Sequence, residues 1–70
     1  MYFTLNVLCH QGLVPLRVAR TLEKHKRVTD LRQLVDYTEQ DLLVVPKIGV
    51  KSVKLIKRLM EERGLALKPE

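Results

Sequence analysis

Seventy residues leave room for one domain. A chain this short buries only about 60% of the surface its unfolded form exposes, so its stability is on the order of a few kcal/mol. Apolar residues make up 46% of it, enough for a core and too many for disorder, and 13 Lys and Arg against 8 Asp and Glu give a formal charge of +5, a balance that favours an acidic partner, most often nucleic acid.

One Phe, two Tyr and no Trp make the core aliphatic and argue against stacking on unpaired bases. The lone Cys9 excludes an internal disulfide framework and fits a reducing, cytoplasmic setting. No apolar run approaches the ~18 residues of a membrane span. Met1–Cys9 carries neither a basic leader nor a small-residue cleavage site and is not read as a signal peptide.

In chain order, residues 1–11 read as an N-terminal arm with two descriptions. Phe3, Leu5 and Val7 alternate with Thr4 and Asn6 at a strand-like period, yet the same residues fit a short helix with Thr4 as N-cap and Gly12 past its end. A strand here would lie across the core or pair with a second copy, making a dimer. Residues 12–67 read as the domain proper. Pro15–His25 is a helix, because proline suits a first turn and no breaker follows. Val18, Ala19 and Leu22 share one face, and Arg17, Arg20, Thr21 and Lys24 form a polar, basic stripe at i, i+3, i+4 and i+7. A solvated face is the ordinary explanation of such a stripe, but none of its four positions is acidic.

After a His25-Lys26-Arg27 connector, Thr29 or Asp30 caps a short helix that turns Leu31, Leu34 and Val35 inward. Thr38-Glu39-Gln40-Asp41 has the form of a capping box and opens a helix from Glu39 to about Val44. Pro46 ends that helix and disfavours αR at Val45. The last helix runs from Val50 to Arg63, with Val53, Ile56, Leu59 and Met60 inward and Lys51, Lys54, Lys57 and Arg58 outward. Gly64 is a C′ residue that lets Leu65 fold back, and residues 68–70 are a tail. The class is all-α, a compact bundle of four to five short helices. No repeat of fixed period emerges beyond Gly12 preceding the first clear helix as Gly49 precedes the last.

Chemistry concentrates at the turn Val45-Pro46-Lys47-Ile48-Gly49. The first N–H groups of the following helix lack intrahelical partners and face outward at the positive end of its dipole, which suits a phosphate. Gly49 lacks a Cβ, tolerates positive φ and lets a foreign backbone approach. Lys47, Lys51 and Lys54 surround it with positive charge. Catalysis finds little support, since Cys9 and His10 are neighbours without a third group to orient the imidazole. Glu61-Glu62 reads as solvated surface, no metal-ligand or nucleotide-loop spacing occurs, and no cofactor is expected.

Hydrophobic-Pro-x-hydrophobic-Gly, followed by Val50-Lys51-Ser52-Val53, resembles the helix-hairpin-helix DNA-binding motif. From Gly12 to Leu67 the chain resembles the C-terminal domain of the bacterial RNA polymerase alpha subunit, a SAM-like helical fold. The likeness rests on Leu16-Arg17-Val18-Ala19, on Leu42-Leu43 before Pro46-Lys47-Ile48-Gly49-Val50-Lys51-Ser52, and on Ile56-Lys57 with Arg63-Gly64-Leu65. That family binds AT-rich minor grooves upstream of core promoter elements and presents other faces to activators and sigma factor. The resemblance implies that Arg17 matches its DNA-contacting arginine and that Gly49, Lys51 and Ser52 match its hairpin contacts. It also implies that Thr38, Glu39, Gln40 and Asp41 match a region that meets activators. Departures are Arg20 where an asparagine often stands, Leu55 at a commonly acidic position, and one extra residue near Lys24–Arg27. The family's assembly domain and linker have no counterpart in these residues, which fits a free-standing relative or a fragment.

The expected function is therefore non-enzymatic binding of double-stranded DNA by Arg17, Arg20, Thr21, Lys24, Lys47, Gly49, Lys51, Ser52 and Lys54, in a transcription role at the nucleoid with RNA polymerase, sigma factor or an activator as partner and no membrane. The stripe and the Gly49 turn would form one basic surface if their helices pack together. An adaptor without DNA binding, using an exposed Leu55, the apolar arm and the acidic Asp36, Glu39 and Asp41, is the alternative. RNA binding ranks last.

Overall fold

The computed structural model describes residues 2–70; Met1, the first residue of the expected arm, lies outside them. Four α-helices follow one another: α1 (Leu5–His10), α2 (Leu16–Lys26), α3 (Glu39–Leu43) and α4 (Val50–Glu62). A 3-10 helix, Leu31–Asp36, lies between α2 and α3. Among the described residues there is no strand, only an isolated bridge between Thr4 and Asp30. The all-α expectation holds at that level.

The helical description of the N-terminal segment is the one realised. Thr4 precedes α1 in extended conformation without a side-chain cap. Gly12 closes α1 at φ 73, with Gly12 N–H donating to Cys9 O and Leu13 N–H to Leu8 O, the paired bonds of a Schellman cap. Leu5 and Leu8 are buried in the same core as the helices that follow. The backbone is stitched to the middle of the chain by Leu5 N–H to Thr29 O and Leu31 N–H to Phe3 O, each 2.9 Å.

Asp30, not Thr29, caps the next segment. Its carboxylate accepts from Arg32 N–H, and Gln33 reaches back to the Asp30 N–H. Because that segment is a 3-10 helix, with three residues per turn, Leu31 and Leu34 eclipse on one side and the residue after them rotates away. Val35 is accordingly 38% exposed, against the expectation that it points inward. The Thr38 capping box forms as read: Thr38 Oγ1 accepts from Asp41 N–H at 3.1 Å and Asp41 Oδ2 from Thr38 N–H at 2.9 Å.

α1 packs against α2, and α3 against α4. Leu8, Val18, Leu22, Leu31, Leu34, Leu42, Val53 and Ile56 are fully buried in one continuous core. The tail is tied down. Lys68 N–H donates to Tyr37 O at 2.8 Å, and Glu70 Oε1 accepts from Gln40 N–H at 2.9 Å. Leu65 N–H returns to Met60 O at 2.8 Å and its side chain packs on the core, as the C-terminal cap requires. Arg63 joins the two ends: its guanidinium donates to Tyr2 O at 2.6 Å and to Leu59 O at 2.9 Å. No helix among the described residues is long and apolar enough to cross a membrane.

Candidate nucleic-acid interface

Pro15 supplies the residue before α2 in extended conformation, so the proline stands just outside the helix and not in its first turn. Arg17, Arg20 and Lys24 are all exposed. Thr21 is not. It is 9% exposed, and its Oγ1 donates to Arg17 O at 2.7 Å. Its position lies between the Val18 and Leu22 rows of a 3.6-residue helix, and the local bond satisfies the hydroxyl. The four-residue stripe thus reduces to three cations.

At the second element, Val45 and Ile48 bury their side chains and anchor the turn, which Ile48 N–H to Val45 O closes at 3.1 Å. Pro46, Lys47, Gly49 and Val50 stand exposed around that anchor. The left-handed residue here is Lys47, at φ 67, whereas Gly49 is extended at φ −109 and ψ −177. Positive φ is therefore not what Gly49 provides. A Cβ built there meets nothing within 4 Å, so only an approaching molecule would use the space. Lys51 and Lys54 are exposed and Ser52 is half-buried.

The ion pairs among the described residues use other cations. Arg32 pairs with Asp30 at 2.8 Å, Lys57 with Glu39 at 3.4 Å and Arg63 with Glu62 at 3.5 Å. Lys26 sits 5.6 Å over the Tyr37 ring and Arg32 4.8 Å over Phe3. Arg17, Arg20, Lys24, Lys47, Lys51 and Lys54 take part in none of these contacts. The α2 stripe and the turn belong to the two helix pairs in main contact, α1–α2 and α3–α4, and the buried faces of α2 and α4 share one core.

The protein-contact candidates are committed internally. Thr38 and Asp41 hold each other in the capping box, Glu39 faces Lys57, and the Gln40 amide is taken by Glu70. The Thr38 backbone N–H holds the Asp41 carboxyl below its ordinary pKa, and the Arg32 side chain does the same for Asp30. Leu55, expected exposed, is half-buried and packs on the core at the edge of the Ile56 row. A groove of about 460 Å³ beside Glu39, Lys57 and Glu61 is lined on its other side by residues 65–70 of the same chain.

Sequence reading passed over exposed Leu16, Val44 and Val50, which are 52%, 64% and 58% exposed. Position is the signal for Leu16 and Val50: the first residue of an amphipathic helix precedes the turn that sets its buried face. Among the described residues no cluster of His, Cys, Asp or Glu is placed to hold a metal ion. The chain matches no protein-family model, and no curated protein matches it.

Proposed function

We propose that this chain is a non-enzymatic module for double-stranded DNA, of the helix-hairpin-helix kind found in the RNA polymerase alpha C-terminal domain. It would act in transcription at the nucleoid. One observation carries the reading, the run of exposed cations along α2 and around the Gly49 turn. Arg17, Arg20, Lys24, Lys47, Lys51 and Lys54 are exposed and take part in no ion pair among the described residues, whereas Arg32, Lys57 and Arg63 pair with Asp30, Glu39 and Glu62. Like charges at i, i+3 and i+7 repel one another unless an anion neutralises them.

In this reading the Gly49 turn and the first N–H groups of α4 hold a phosphate, and Lys51 and Lys54 flank it. Arg17 and Arg20 enter a narrow AT-rich minor groove, whose negative potential favours guanidinium without base-specific hydrogen bonds. With about 4–6 phosphates contacted, affinity falls with salt at a log–log slope of roughly −4 to −5. RNA polymerase, sigma factor or an activator would be met on a remaining face.

Fluorescence anisotropy on an AT-rich duplex tests the site. Arg17→Ala and Gly49→Asp each weaken binding strongly while helicity is kept, because Arg17 is exposed and Gly49 has room for a side chain. Wild-type affinity in both variants would show that the site lies elsewhere. The second reading, a protein-interaction adaptor without DNA binding, draws on exposed Leu16, Val44 and Val50. Absence of duplex binding at tens of micromolar protein in low salt would favour it.

A further inference from the structure

One stretch of the molecule shows apolar and basic side chains to solvent together, with no acid among them. Between Asp41 and Glu61 the sequence carries Lys47, Lys51, Lys54, Lys57 and Arg58 and no carboxylate. At the turn within it Val45 and Ile48 are buried, and the bond from Ile48 N–H to Val45 O fixes the backbone between them. The residues left outside are Val44, Pro46, Lys47, Gly49 and Val50. Val44 is 64% exposed and Val50 58%, the two most exposed large hydrophobic side chains among the described residues. The core does not use them. Val50 stands between Gly49 and Lys51, and Pro46 next to Lys47. Methyl groups set among unpaired ammonium groups are the complement of a sugar–phosphate chain, in which C–H walls alternate with anions. Every phosphate of that chain is bonded to sugar on both sides, so side chains beside a phosphate-binding lysine meet sugar.

We infer that Val44, Pro46 and Val50 form an apolar collar that meets the sugar and makes the turn select DNA over RNA. This rests on the DNA-binding reading above and adds to it the chemistry of discrimination. The minor groove of B-DNA is walled by deoxyribose C–H groups, and covering them with exposed methyls removes apolar surface from water. The A-form minor groove of RNA displays 2′-hydroxyls instead. Pressed against valine, such a hydroxyl loses its water and receives no hydrogen bond in return. The collar is also stiff. Valine is confined at χ1 by its branched Cβ and proline by its ring, so neither swings aside to let a hydroxyl stay hydrated. The lysines cannot make the distinction, because both nucleic acids carry the same phosphate. It falls to the apolar side chains.

Competition anisotropy with the whole chain tests this, a labelled AT-rich DNA duplex being displaced by unlabelled DNA or by an RNA duplex of matching sequence. Wild type prefers DNA by about 5- to 30-fold, the effect of a hydroxyl left unpaired. The deciding variant combines Val44→Thr and Val50→Thr, which keeps the branched shape and supplies hydroxyl partners. Both positions are exposed and lie at helix ends, so the helical spectrum is kept. The variant narrows the preference to less than about 3-fold, chiefly by gaining RNA affinity, and its salt slope is unchanged because no cation is lost. An unaltered preference in the variant would assign discrimination to the A-form shape and overturn the collar. Equal wild-type affinity for the two duplexes would overturn it too, with nucleic-acid binding left standing. A wild-type chain that binds neither duplex at low salt would instead overturn the DNA reading on which it rests.

Discussion

The α1–α2 turn reverses the chain through Gly12 at φ 73, whereas the α3–α4 turn does so through Lys47 at φ 67. The first turn buries Val14 and the second buries Val45 and Ile48, and both deliver a longer helix whose preceding residue, Pro15 or Gly49, offers no side-chain cap. Their shorter helices differ more. Thr38 reciprocates with Asp41, while Thr4 has Val7 at the matching position and makes no side-chain cap. α1 is held instead by what it packs against, through Leu5, Leu8 and the bonds to Thr29. One geometry is thus reached by local hydrogen bonding in one half and by tertiary contact in the other.

The largest effects test whether the halves are equal partners in the core. Leu8→Ala and Leu42→Ala each remove a fully buried side chain and should each cost about 2–5 kcal/mol, read from urea midpoints. A mild Leu8→Ala with a severe Leu42→Ala would make α1 an appendage and break the comparison. Arg63→Ala comes next. It deletes a guanidinium that bonds Tyr2 O and Leu59 O, worth about 1.5–3 kcal/mol, and hydrogen exchange should show the N-terminal segment loosening first.

The turns can be set against each other directly. Gly12→Ala forces a Cβ into the left-handed region and should cost about 1–2 kcal/mol, whereas Lys47→Gly should change stability by less than about 0.5 kcal/mol, because relief of strain and the added unfolded-state entropy oppose. Thermal melts separate the two. Gly49→Asp places a good N-cap in an extended position with open space and should raise stability by about 0.3–1 kcal/mol, even as it repels phosphate. A fold that weakens would mean the turn needs glycine for itself.

Acid gives the finest distinction. Asp41 and Asp30 have folded-state pKa values below the ordinary one, owing first to the Thr38 N–H and to the Arg32 side chain respectively. Their contribution is present above the unfolded carboxylate pKa of about 3.9 and is lost as pH falls through the lower folded values. α3 and the 3-10 segment should therefore loosen before α1 as pH drops below about 4. Asp41→Asn should flatten the pH dependence of the melt at the α3 end, and an unchanged profile would remove Asp41 from that account.

Much of this molecule is determined by its residues locally. The core faces of α2 and α4 follow from 3.6-residue spacing, the start of α3 from Thr38 and Asp41, and the reversal before α4 from Pro46, since caps and amphipathic periods are short-range effects. The basic positions were legible for the same reason. Thr21 and Leu55 were misplaced because each sits at the border of a helix face, where which neighbour arrives decides exposure. Val35 was misplaced because a switch from 3.6 to three residues per turn reassigns a face without changing a residue.

Only the tertiary structure decided that the segment 2–11 contributes Leu5 and Leu8 to the core. A six-residue helix is too short to be stable alone, and Leu5 and Leu8 gain their burial only where α2 and the Thr29–Leu31 segment meet them. What the residues determined by themselves was where helices start, stop and carry charge. What the packing decided was which side chains leave water, since burial is a property of neighbours distant along the chain.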